Sequence, residues 1–386
     1  MSIHRLLKNK TPFYCYDLSL LEKTLEEAIL YSKKHNYHIH YALKANANDE
    51  ILQIIQEKGL GADCVSGNEI KKAISNDFPS SKIVFAGVGK SDEEIETALE
   101  HDIFAFNCES IQEIEVINEI AKKQGKTAAI ALRLNPNIDA KTHHYITTGL
   151  EENKFGINPW ELDKIIEKSP LWKNIKITGL HFHIGSQITS MTPFKNLCIR
   201  VNEINQWFFE NKIHIQHLNL GGGLGIDYHY PLENPIPDFE LFFGVFKQFL
   251  EPHPHQEIHF ELGRALVGGC GSLISKVLYV KEGVKTNFVI LDAGMTELLR
   301  PAIYQAYHHI ENLTSKSDKL VYYDVVGPIC ESSDCFAKKV ELKETKRGDF
   351  IQIHSTGAYG EVMSSNYNLR QQEPAVYYNS NAYALN

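Results

Sequence analysis

Between residues 38 and 264, short apolar runs alternate eight times with longer stretches whose apolar residues fall at helical spacing. The runs are HIHYALKA (38–45), GLGADCV (59–65), KIVFAGV (82–88), DIFAFNC (102–108), AAIALRLN (128–135), ITGLHFHIG (177–185), HIQHLNLGG (214–222) and EIHFELGR (257–264). Between them lie segments such as DEILQIIQEKG, SDEEIETALEH and SIQEIEVINEIAKKQG. Each of these three opens on Asp or Ser and two close on Gly, as capped helices do. Runs so uniformly apolar belong to strands buried on both faces, which predicts a parallel sheet covered by helices. Eight such units close into an α/β fold of the TIM, or (β/α)8, barrel type, with functional residues at the C-terminal ends of the strands. An open doubly wound sheet is the alternative. It needs a glycine fingerprint after the first strand, and YALKANAND has none.

The rhythm changes near residue 265. GSLISKVLYVKEG, TNFVILDAG, LVYYDVVG, CFAKKVELKE and GDFIQIHSTG are strand-like, bounded by turns and mostly without helices between them. They predict a second, all-β, barrel-like domain, which the early strand TPFYCYD joins. The expected division is a barrel over 30–262, with a β-domain made of 1–29 and 263–386. A chain of 386 residues accommodates two domains of this size.

Composition narrows the function classes. The net charge of −9 is spread without a basic block, which argues against nucleic acid and anionic membrane surfaces as partners. The opening MSIHRLLKNKTPFYC has no apolar core of a signal peptide. No apolar run approaches the roughly 20 residues of a spanning helix. The seven cysteines are odd in number and contain no C-x-x-C pair, which speaks against a disulfide framework or a cysteine zinc site. No metal is expected, and a reducing cytoplasm is the simplest setting.

At the strand ends stand Lys44, Asp63, Arg133, His183 with Ser186, the turn Gly221, Gly222 and Gly223, and Glu261 with Arg264. A lysine closing a strand is often only a solvated cap. Directly after HIHYAL, Lys44 should enter the barrel mouth, where partial desolvation makes an amine a good Schiff-base nucleophile. An aldolase would use it equally well. A phosphate and a pyridine ring in the same mouth would separate the two. Three glycines after HLNL let backbone N–H groups approach a phosphate, although a tight turn alone also explains them. Ser186 and Arg264 can serve the same anion. Glu261 facing a pyridine nitrogen would keep it protonated and make the ring an electron sink, which suits loss of CO2. His183 could stack on the ring, although a lone histidine is commonly a core residue.

YALKANAN, GADCVSGNE, RLNPNIDAKTHHYITTGLEENKFGI, GLHFHIGSQ, LNLGGGLG, ELGR, DAGMTELLRPAIY, CESSD and GAYGEVMSSNYN occur in this order over residues 41–368. In these motifs the chain resembles the alanine-racemase-like, fold-type III pyridoxal-phosphate decarboxylases, and within them the diaminopimelate decarboxylases. The resemblance implies pyridoxal 5'-phosphate as cofactor and a homodimer whose active site is shared between subunits. It makes Lys44 the Schiff-base residue, and Asp63 and Arg133 partners around it. His183 would stack on the ring and Glu261 would hold the pyridine nitrogen. Ser186, Gly221–Gly223, Gly263, Arg264 and Tyr359 would bind the phosphate. Cys330 would come from the partner subunit as proton donor, with Glu331 beside it for the distal ammonium.

For the substrate, Arg300 and Tyr304 of RPAIY would hold a distal carboxylate together with Arg264, and Tyr359 would also line that site. A dicarboxylic substrate suits a pair of arginines. The implied reaction converts meso-2,6-diaminopimelate to L-lysine and CO2, the last step of lysine biosynthesis. The alternatives are a related decarboxylase of carboxynorspermidine, ornithine or arginine, and a non-catalytic pyridoxal-phosphate-binding regulatory homologue. A racemase would place an arginine where Glu261 stands. Leu262 departs from the family pattern, which commonly has proline between the glutamate and the glycine.

Overall fold

The computed structural model describes residues 7–138 and 154–380, so the centre of the RLNPNIDAKTHHYITTGLEENKFGI motif lies outside the described residues. Two compact units emerge: Leu25–Gly225 with Asp238–Gly263, and Met1–Thr24 with Ile226–Pro237 and Arg264–Asn386. The segment 226–237, expected within the barrel, groups with the β unit, and the boundary near the N-terminus falls inside the helix Leu18–Lys34.

Strand β1 (Phe13–Asp17) belongs to the second unit. The first unit is a closed barrel of eight parallel strands. They are β2 (Tyr37–Ala42), β3 (Gly61–Cys64), β4 (Ile83–Phe85), β5 (Ala105–Cys108), β6 (Ala128–Arg133), β7 (Ile175–His181), β8 (His217–Asn219) and β9 (Glu257–Leu262). Six fall within the runs legible from periodicity, and β2 and β7 begin one and two residues ahead of theirs. β9 closes the barrel on β2, with His38 opposite His259 and His40 opposite Glu261. Leu262, in the place of the usual proline, simply extends this ladder opposite Tyr41 and is buried.

Serines terminate the loops that follow three strands and start the next helices. Ser66, Ser91 and Ser110 each accept from the backbone N–H three residues on, and Glu94 returns the bond to complete a capping box. The alternation along β9 is unambiguous. Glu257, His259 and Glu261 face inward. Phe260 faces outward and meets Phe242, Phe243 and Phe246 of the helix Phe239–Phe249 at ring separations of 4.8–5.6 Å. Edge-on aromatic packing of this kind holds the helix on the sheet.

The second unit is a mostly antiparallel eight-stranded sheet. It contains β10 (Gly271–Lys281), β11 (Asn287–Leu291), β12 (Ile310–Asn312), β13 (Leu320–Val326), β14 (Cys335–Lys343), β15 (Phe350–Ile353) and β16 (Val376–Tyr378). β1 pairs with β10 and β16, as the early strand was expected to do within a β-domain. β12 and β16 are three residues each, too short to show an alternation in sequence.

Replacing Phe260 by Ala should lower stability by about 3–5 kcal/mol through the cavity left under the helix. A urea midpoint equal to that of the unsubstituted protein would contradict this packing account.

Candidate active site

Lys44 sits on a short turn, Leu43–Ala45, at the C-terminal end of β2. Its ammonium donates to Asp63 Oδ2 at 2.5 Å from the neighbouring β3. The lysine side chain is about one-third exposed and that of Asp63 is fully buried, so the pair spans the step from core to mouth. Burial and the nearby Glu261 carboxylate push the Asp63 carboxyl up to about 7, against the pull of Lys44.

Glu261, on β9, is buried and fully oriented. Its Oε1 accepts from Asn107 of β5 and Asn219 of β8, both at 2.7 Å, and its Oε2 meets His181 Nε2 of β7 at 2.8 Å. A carboxylate only accepts, so His181 Nε2 is the donor. Burial alone would raise this carboxyl. The His181 imidazole with its hydrogen bond, and then Lys44, outweigh burial and hold it well below the usual carboxylate range. A carboxylate has about four lone-pair positions, and three are taken. His181, Asn107 and Asn219 were not singled out in the sequence. Only the "HFH" doublet hinted at the first.

Arg133 ends β6, where its Nη1 donates to Glu109 Oε1 at 2.6 Å and its guanidinium lies 4.7 Å from the Phe155 ring centre. Its buried partner is therefore Glu109, another residue not anticipated. His183 follows β7. Burial, then the Arg133 and Lys44 charges, push its imidazole down to about 3, so the ring stays neutral. The Gly222 N–H points at its Nδ1 from 3.4 Å. Ser186 lies half-buried on the same loop.

The glycine turn is dictated by close approach. Gly221 and Gly223 have φ of +66° and +101°. A Cβ at Gly222 would lie 2.0 Å from the Glu261 carbonyl, and one at Gly221 2.3 Å from that of Phe182. Any side chain here would push β8 away from its neighbours.

The β unit holds a different cluster. Arg264 begins a short helix, Arg264–Val267, directly after Gly263. Its Nη1 donates to the Tyr228 hydroxyl, and its guanidinium lies over Tyr359, 4.8 Å from the ring centre. Arg300 donates to the same hydroxyl at 2.8 Å and to His308 Nε2 at 2.9 Å. His308 Nδ1 contacts the His354 carbonyl at 2.8 Å and so carries the ring's proton, which leaves Nε2 as an acceptor. Burial, then the Arg300 charge, push His308 down to about 3. Tyr304 ends the helix Arg300–Tyr304, partly exposed. Tyr228 lies in IDYHYPLENPIP, a stretch legible only as loop, yet it is buried and joins the two arginines.

Cys330 and Glu331 stand exposed on a loop of the β unit. Asp334 pins that loop by accepting from the Ile329 and Met295 amides at 2.7 and 2.6 Å. Glu331 accepts from the Tyr367 hydroxyl at 2.9 Å. Neither Cys330 nor Glu331 hydrogen-bonds to the arginine cluster.

Residues 21–268 match the family model described as the pyridoxal-dependent decarboxylase, pyridoxal binding domain. The chain belongs to the pyridoxal-dependent decarboxylase family. It is a pyridoxal-phosphate carboxy-lyase of fold-type III. It is 56% identical to diaminopimelate decarboxylase of Bacteroides thetaiotaomicron, over 94% of each chain. The corresponding Aquifex aeolicus protein is 41% identical, over 95% of this chain and 86% of that one. Among solved structures, that of a diaminopimelate decarboxylase variant from Helicobacter pylori complexed with L-lysine superposes with a TM-score of 0.91. That pair is 38% identical, covering 97% of this chain and 93% of the other. The decarboxylase residues fit their cofactor on two counts. Glu261 retains a lone-pair position for a pyridine N–H, and the buried Asp63 Oδ1 has no hydrogen-bond partner. Among the described residues no helix is long and apolar enough to cross a membrane.

The Asp63 carboxyl is raised above its unfolded value of about 3.9, so its contribution is complete below that pH and is lost as pH rises towards 7. The cofactor-free Asp63→Asn protein should therefore gain stability relative to the unsubstituted protein steadily between about pH 4 and pH 7. Paired thermal melts across this range check it. A difference that stays constant with pH would show that Asp63 is not raised.

Proposed function

We propose that this enzyme decarboxylates meso-2,6-diaminopimelate to L-lysine and CO2, the last step of lysine biosynthesis. The observation that carries the reading is Arg300. It is 4% exposed, its hydrogen-bond partners are the neutral Tyr228 hydroxyl and the neutral His308 ring, and its Nε has none. A buried guanidinium among neutral acceptors lacks a counter-charge, and a planar carboxylate matches its fork. Diaminopimelate brings a second carboxylate. Ornithine, arginine and carboxynorspermidine have none to spare. The relatives at 56% and 41% identity carry this enzyme's name, and the Helicobacter pylori structure holds the expected product.

Pyridoxal phosphate, when bound, supplies a carbonyl for exchange with the substrate amine and a protonated ring that would take up the electron pair left on the substrate carbon when CO2 departs. Lys44 Nζ is the amine that would hold it, and Asp63 accepts a proton from that nitrogen. Glu261, fixed by three donors, would keep a proton on the pyridine nitrogen. His183, neutral at working pH, offers a flat apolar face for stacking. The backbone of Gly221–Gly223 with Ser186, and Gly263, Arg264 and Tyr359, are assigned to the phosphate. Arg300, positioned by Tyr228 and His308, would orient the distal carboxylate with Arg264 and Tyr304. Arg133, held by Glu109, sets the charge beside His183.

Cys330 Sγ is assigned as the proton donor after CO2 leaves, and Glu331 as the acceptor for the distal ammonium. Both are assigned to the site of a partner subunit in a homodimer. Their exposure on a pinned loop, without bonds to the arginine cluster, supports this. Seven free thiols suit a reducing cytoplasm.

Arg300→Ala should lower kcat/KM for diaminopimelate by about a hundredfold or more, as expected for removing one partner of a buried charge pair. It should raise rather than lower any turnover of ornithine, because the uncompensated charge that disfavours a cationic side chain is gone. Equal losses for both substrates in steady-state assays would remove Arg300 from substrate choice. Mixing inactive Lys44→Ala chains with inactive Cys330→Ala chains should restore about a quarter of the activity, because statistical pairing makes half the dimers mixed and each has one intact site. No recovery in verified mixed dimers would defeat the shared-site assignment.

A further inference from the structure

The inward row of β9 continues below Glu261. Glu257 and His259 occupy the N-terminal end of that strand, and β2 sets His38 opposite His259 and His40 one interior position higher. A cavity of about 490 Å³ opens at this end, lined by His38, His40, Lys82, Phe104, Glu257 and His259 among others. None of these residues has a part in the decarboxylation described above.

Proton counting makes the cluster unusual. Glu257 Oε2 stands 3.3 Å from His259 Nε2, His259 Nδ1 stands 2.8 Å from His40 Nε2, and His40 Nδ1 stands 3.0 Å from the Lys82 carbonyl oxygen. Each of these three gaps joins two electron pairs and needs one proton. Two neutral imidazoles supply two. The carbonyl end fixes the order, because Lys82 O can only accept. His40 Nδ1 therefore donates to it, His40 Nε2 accepts, and His259 Nδ1 donates in turn. The His259 Nε2 lone pair is left facing a carboxylate oxygen. Both rings are buried, so a third proton would place an imidazolium in the barrel interior. The open gap is the one that reaches solvent, beside His38.

We propose that His38, Glu257 and His259 bind a divalent first-row transition-metal ion such as Zn2+ at the N-terminal end of the barrel. The available ligand atoms already lie within 4.8 Å of one another, with His38 and Glu257 exposed and His259 buried. Bonds of about 2.0–2.1 Å to a tetrahedral zinc place ligand atoms about 3.4 Å apart. The Glu257–His259 pair meets that spacing as it stands, and rotation of the exposed His38 side chain completes the set. Two imidazoles and one carboxylate form an open three-ligand site with water as the fourth ligand. The outer contacts are those of a metal histidine. His259 donates Nδ1–H to His40, which donates to a backbone carbonyl, and this fixes the tautomer that presents Nε2 to the ion. No metal was expected from a sequence without paired cysteines, whereas these ligands come from two strands far apart in the chain, β2 and β9.

The test is zinc retention by the pyridoxal-phosphate-loaded enzyme after chelator treatment, addition of Zn2+ and gel filtration, read by elemental analysis. One zinc per chain is expected. His38→Ala and Glu257→Gln should each weaken binding at least about tenfold, since losing even an outer-shell partner costs about 10–100-fold. Both side chains are exposed, so neither replacement opens the core. Co2+ in place of zinc should give the intense visible absorption of a tetrahedral ion, absent from both variants. No retained zinc, or equal retention by the unsubstituted protein and both variants, overturns the proposal.

Discussion

An ionised carboxylate in the interior of a barrel is the constraint around which this fold is arranged. Left unpaired, Glu261 would be too costly to keep charged. It is kept so by donors from three other strands, Asn107, His181 and Asn219. Hydrogen bonds to a charged group contribute about 1.5–3 kcal/mol each, and three of them offset a desolvation that none could offset alone. The ends of β5, β7, β8 and β9 are thereby held to one geometry. The glycine turn after β8 follows from it. Asn219 reaches Glu261 only if β8 packs against β9 closely enough that Gly222 has no room for a Cβ. The same residues that orient the carboxylate thus fix the backbone of the turn assigned to the phosphate.

How much of this was legible in the sequence depended on the range of the interaction. The eight strands showed in local periodicity, because a strand buried on both faces must be apolar throughout. Lys44, Asp63 and Glu261 showed as polar residues ending such runs. Asn107, His181 and Asn219 did not, since each matters only through an acceptor 42–154 residues away. Tyr228 was hidden for a related reason. Its loop has the composition of a solvated connection, and only the fold shows its hydroxyl accepting from two arginines. β12 and β16 lacked the length to display a period. The polar residues proposed for the site were legible at the strand ends, and the side chains that hydrogen-bond them were not.

The two units treat charge in opposite ways, and this links the geometry to the substrate. In the barrel unit a buried negative charge is fully hydrogen-bonded yet keeps one lone-pair position. That arrangement favours a bound proton donor and fits a ring nitrogen that must stay protonated. In the β unit Arg300 is a buried positive charge with only neutral partners. Tyr228 and His308 orient it without neutralising it, and His308 is locked by the His354 carbonyl in the tautomer that can accept. Had a carboxylate stood where Tyr228 is, Arg300 would form a finished internal ion pair with little to offer a ligand. A neutral phenol instead leaves the charge available, at a cost to the stability of the empty site that a bound carboxylate would recover. An amino acid without a distal carboxylate would bury its apolar or cationic end near that uncompensated charge. If Arg300 holds the distal carboxylate as proposed, selectivity for a dicarboxylic substrate would arise as much from rejecting the others as from holding the right one.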